Sequence, residues 1–203
     1  MTDNLLWYFC GLDRKLRYGD DRVAKVGTMH TVAGIPKLCA HGLHASANAL
    51  DALRLGGGPV VFQVELGADA VQGTDKAVST SRRYIAGDVD VTKTLVEFAC
   101  CVAEASMLLT EHYDERSWNA IEVTRAIMRG ELNADAANAA DAANAAADAA
   151  NAANAANAAN AAANAANAAA AAAAAAAYAA ADADAEINAI LESMLIEAIN
   201  GQA

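Results

Sequence analysis

The side chains best suited to chemistry crowd into one stretch, Leu38-Cys39-Ala40-His41-Gly42-Leu43-His44-Ala45-Ser46. Cys39, His41 and His44 make a Cys-x-His-x-x-His pattern. Thiolate and imidazole are ligands that zinc favours, but a structural zinc site takes four ligands, usually in two pairs. The second pair is missing, and only the fold could recruit Cys10 or His30. The spacing therefore predicts no metal, with a buried cysteine beside a turn at Gly42 as the plainer reading of these residues. Two basic groups, Arg82-Arg83 and Arg14-Lys15-Arg17, could touch a phosphate or lie solvated on the surface. No serine–histidine–acid order is present. Glu111 and His112 close a helical stretch, where the dipole favours a histidine. Gly56-Gly57-Gly58-Pro59 follows a helical pattern instead of opening one, so it is not a phosphate loop. Trp7 and Trp118 read as core, and Cys100-Cys101 as one buried and one less buried thiol on a helix.

These residues need elements to hold them. Leu5-Leu6-Trp7-Tyr8-Phe9-Cys10-Gly11 is apolar, aromatic and glycine-ended, which suits a buried strand. Ser46 reads as the N-cap of a short helix through Leu55. Val60–Leu66 is β-branched and the clearest strand, and residues 76–86 hold one or two more. Asp88 or Asp90 is expected to cap a helix from about Val91 to His112, and a second helix runs from about Ser117 to Arg129 and stops at Gly130. Strands early and helices late predict an α+β fold, a small N-terminal mixed sheet with flanking helices.

The Leu38–Ser46 stretch resembles an LC-x-x-G-[LF]-H-A-S core. That core marks a domain family found in bacteriophages and bacteria, which has no established activity and whose members can carry alanine-rich tails. The likeness spans roughly residues 5–105. More distantly, Gly42-Leu43-His44-Ala45-Ser46, then a short helix, then Val60–Leu66, is similar in order to ADP-ribosyltransferase-like folds, including RNA 2′-phosphotransferases. That resemblance implies a nucleotide pocket for NAD or a related ligand. His44 would stack on or hydrogen-bond the nucleotide, and Ser46 would support the strand end. The chain departs from that pattern in two places. Tyr8-Phe9-Cys10-Gly11 has neither the expected histidine nor arginine, and Lys76 stands near where a catalytic glutamate belongs. A lysine there cannot stabilise an oxocarbenium-like state, so nucleotide binding is implied more strongly than transfer.

The rest of the chain is unlike this part. Of 203 residues, 14 are Lys or Arg and 25 are Asp or Glu, for a net charge of −11. Every basic residue lies at or before Arg129, so the remainder is purely acidic and repels phosphate backbones; nucleic acid is an unexpected partner. The 56% hydrophobic content overstates the core, because 36 of the 48 residues from Ala134 to Ala181 are alanine. Alanine favours helix, and polar residues recur along this tract in eight steps of three and two of four. That mean period of 3.2 carries the polar stripe around a 3.6-residue helix and leaves no steady seam for a long coiled coil. Beyond it, Ile187, Ile190, Leu191, Met194 and Leu195 repeat at amphipathic spacing, and Gly201 stops the helix. This face either packs back on its own chain or associates with another copy; association, hence a homo-oligomer, is the expectation. The predicted organisation is residues 1–130 as a compact domain, 131–181 as a helical extension and 182–203 as an amphipathic association helix. The start lacks a signal-peptide pattern and no run is apolar enough for a membrane span, so the cysteines are expected reduced in a cytoplasm.

Three functions follow. The favoured one is a non-enzymatic phage or bacterial accessory protein whose head binds a nucleotide-like ligand or a host protein while the tail sets assembly. The second is an enzyme acting on NAD or an RNA end through His44 with Arg82 or Arg83. The third is a structural or ice-binding alanine helix, for which the tract lacks regularly spaced threonines.

Overall fold

The structure, a computed structural model, describes residues 5–18, 20–109, 115–132 and 180–201. Of the predicted extension at 131–181, residues 133–179 lie outside the described residues, as do Glu111 and His112. The elements are β1 (Leu6–Cys10), β2 (Met29–Thr31), β3 (Leu43–Ala45), α1 (Ala49–Leu55), β4 (Val60–Leu66), β5 (Val71–Gln72), β6 (Ala77–Ser79), β7 (Ser81–Asp90), α2 (Thr92–Leu109), α3 (Glu115–Met128) and α4 (Ala180–Asn200). This is an α+β fold. The strands form two sheets, ordered β1-β4-β7-β2 and β3-β6-β5, with antiparallel pairing throughout. A bridge between Trp7 and Ser46 joins them, with Trp7 N–H donating to the Ser46 carbonyl at 2.7 Å and Ser46 N–H to the Trp7 carbonyl at 3.0 Å.

The chain divides into two compact units, Met1–Thr94 with Asp184–Ala203, and Leu95–Ala183. In the first, β4 is an inner strand whose first half, Val60, Val61 and Phe62, is buried on both faces, while Gln63 and Glu65 turn one face outward further on. Phe62, Val64 and Tyr84 meet Cys10, Leu16, Leu43 and Ala45 in one core. Pairing of β4 with β7 slips at Val61/Phe62, leaving Asp88 as an extra residue; Arg14 is ion-paired to it. Of the two aspartates expected before the helix, Asp90, the last residue of β7, accepts from the N–H of Thr92, the first residue of α2, at 2.9 Å.

The first helix begins later than Ser46. Ser46 is committed to the bridge, and Asn48 is the N-cap residue, with no side-chain bond to the helix backbone. The orphan donors of α1 are satisfied from far away in sequence. Ala49 N–H donates to Glu192 Oε1 at 3.2 Å and Leu50 N–H to Asn188 Oδ1 at 2.9 Å, both on α4. Leu191 and Leu195, on that same face of α4, are 0% exposed. The helix expected to associate is thus docked on its own chain. Leu191 and Leu195 are used there; Ile187 and Met194 are half-buried, and Ile190 alone of the five stays exposed.

In the second unit, Phe98, Cys100 and Ile121 are buried. Arg125 is held by Glu97 at 2.8 Å and Glu104 at 2.5 Å, which raises its pKa. Gly130, at φ +73°, ends α3 as the sequence predicts: its N–H donates to the Ile127 carbonyl while Glu131 N–H reaches Ala126. Among the described residues no helix is long and apolar enough to cross a membrane.

Candidate functional site

A cleft of about 600 Å³ opens in the first unit between β1, β3, α1 and the turn around Tyr18. Its walls include Tyr8, Arg17, Tyr18, Asp20, Cys39, His41, His44, Ser46, Lys76 and Arg82. Most of the residues singled out from the sequence therefore do converge. Arg83 does not. Side chains alternate along β7, so Arg82 points inward and is buried while Arg83 points to solvent. The pair is not a basic patch.

Arg82 is the centre of the site. It is 3% exposed, yet no carboxylate among the described residues pairs with it. Its guanidinium carbon lies 3.6 Å from the Tyr8 ring centroid. Nη1 donates to the His44 carbonyl at 2.6 Å, and Nε and Nη2 donate to the Tyr84 hydroxyl at 3.2 and 2.8 Å. With both of those contacts arriving from Arg82, the Tyr84 proton is left to donate to His30 Nδ1, 3.2 Å away. That arrangement needs a neutral His30. Burial lowers its pKa, and the neighbouring Arg22 and Arg82 cations act in the same direction.

His44 is held at its edge. Its Nε2 accepts from the Cys39 N–H at 3.3 Å. Burial lowers its pKa, opposed by a backbone hydrogen bond at Gly42. The Nε2 edge of His44 is thus engaged by backbone, while the residue lines the cleft. Burial also pushes the Tyr8 phenol up to about 12 and the Cys10 thiol up to about 11, so neither exchanges a proton near neutrality. His41 Nε2 turns to the Ala33 carbonyl at 2.6 Å. Cys39, His41 and His44 accordingly do not gather around a point, and no metal-binding cluster occurs among the described residues.

The remaining charges favour anions. Arg17 donates to the Leu55 and Gly56 carbonyls, both at 2.8 Å, and forms no ion pair with an acid among the described residues. Gly57 leaves room for that guanidinium, since a Cβ there would collide with it. Lys76 has Asp75 at 3.4 Å. Among the described residues Asp20 is the only carboxylate on the wall; Arg22 binds it and holds its pKa down to about 2. In the other basic group, Arg14 pairs with Asp88 and Lys15 with Asp21.

Sequence reasoning passed over Tyr8 and Tyr18. The alternation in Leu6-Trp7-Tyr8-Phe9-Cys10 was the available signal for Tyr8, placing it on the face of Leu6 and Cys10. The glycine-punctuated loop around Tyr18 gave none. Fold and cleft together define an α+β head with a cationic, aromatic-walled pocket. No protein-family model matches this chain, and no match was found among curated proteins or solved structures.

Proposed function

We propose that the head is a binding module that takes up a small, nucleotide-like anion in this cleft and performs no group transfer on it. The observation that carries this reading is Arg82. A buried cation loses its hydration, and proteins ordinarily balance one with a carboxylate. Here the cation faces a cleft and is balanced only by aromatic rings and neutral oxygens. An anionic ligand group would complete it. The aromatic walls suit the planar part of the same ligand.

The enzyme reading is weaker because His44 has its edge tied to the backbone. Titration calorimetry of the full chain with ADP, ADP-ribose and NAD tests the proposal. Saturable binding that weakens as salt is raised is expected, and Lys76→Ala should weaken it about tenfold, the usual scale for one charge-assisted contact. Absence of binding by all three at millimolar concentration would overturn the reading.

A further inference from the structure

We infer that Tyr18 is the stacking platform of the cleft, so that the ligand must carry a planar aromatic ring as well as an anionic group; this rests on the binding role proposed above. Four aromatic residues line the cleft: Trp7, Tyr8, Phe9 and Tyr18. Trp7 and Phe9 are buried in the protein, and one face of Tyr8 is covered by Arg82. Tyr18 is 99% exposed. It also sits at φ +63°, a left-handed conformation that a bulky residue rarely adopts.

Exposure and strain at one aromatic residue are both unfavourable in the free protein. They persist because the turn is fastened on both sides of it. Lys15 and Val23 bridge across its base, and Leu16 N–H donates to the Arg22 carbonyl at 2.9 Å. Arg17 ties the near side to the end of α1, and Arg22 Nη1 donates to the Thr31 carbonyl at 2.7 Å on the far side. The limbs on either side of the turn are held while the ring is left open on the cleft wall. An unoccupied aromatic face is what a flat ring can stack on.

The test is calorimetry on the full chain with two probes, ADP and ribose 5-phosphate, using wild type, Tyr18→Ala and Tyr18→Phe. ADP should bind wild type more tightly than ribose 5-phosphate does. Tyr18→Ala should weaken ADP about tenfold and leave ribose 5-phosphate unchanged, while Tyr18→Phe keeps ADP within about threefold. The exposed ring is not part of the core, so the thermal midpoint of Tyr18→Ala should match wild type. If wild type binds ADP but Tyr18→Ala binds it equally well, or weakens both probes alike, the stacking role is overturned and the binding role stands. If wild type binds neither probe, both are overturned.

Discussion

Arg82 is the residue on which function and stability pull apart. Replacing a buried, unbalanced cation with an apolar residue of similar length is often neutral for stability. Arg82→Met should therefore stay within about 1 kcal/mol of wild type in urea unfolding, because relief of the buried charge offsets the lost hydrogen bonds to His44 and Tyr84. The same variant should bind ADP no better than background. A loss above about 3 kcal/mol would instead make the guanidinium a structural keystone. The histidines give a pH signature. His30 and His44 both have pKa values lowered from 6.5 by burial. The folded state favours their neutral forms, so their contribution is complete above about pH 6.5 and is lost as pH falls through their lower folded values. The cations Arg22, Arg82 and Lys76 face them and oppose protonation, while Asp20 pulls the other way at His30 and the Gly42 backbone does so at His44. Stability measured from pH 7 to 5 should fall, and His30→Gln should flatten part of that fall. The Asp20 contribution is separable, since it disappears only below about pH 4.

The decisive element is α4. Its own amphipathic pattern says that Leu191 and Leu195 need a partner, but the pattern is equally satisfied by a second copy or by the head. The choice is made by two hydrogen bonds that no local rule reveals, from Glu192 and Asn188 to the first N–H groups of α1. A seven-residue helix with an Asn48 that does not cap it is marginal alone, and α4 supplies the missing acceptors. Leu191→Ala should cost about 2–5 kcal/mol and Glu192→Ala about 1 kcal/mol, read by chemical denaturation. Concentration-independent unfolding of both variants is expected for packing within one chain. A midpoint that moves with concentration would restore association as the role of α4.

For the whole molecule, the first unit is discontinuous, built from Met1–Thr94 and Asp184–Ala203. The sequence reading placed the boundary by composition, at the onset of alanine. Composition marks where core-forming residues end, and it carries no information about which distant segment returns to cover them. A chain ending at Ala183 should consequently lose stability in the head, visible as a lower thermal midpoint and faster amide exchange in α1, even though every residue of the cleft wall is kept.

By itself, the sequence determined what short-range physics decides. The bounds of β4, a capping aspartate at 88 or 90, the stop at Gly130 and the α+β class follow from propensity, side-chain period and turn chemistry within a few residues. It also marked His44, Ser46, Arg82 and Cys39 as the residues to watch, and these line one cleft. Only the tertiary structure decided what they do there. It separated Arg82 from Arg83 through the pleat of β7 and tied His44 to backbone. It also left Arg82 without an acid among the described residues and set Tyr18 open on the rim. Those properties depend on burial and on neighbours tens of residues away, and a linear pattern does not encode which charges will be desolvated together or which will find a partner.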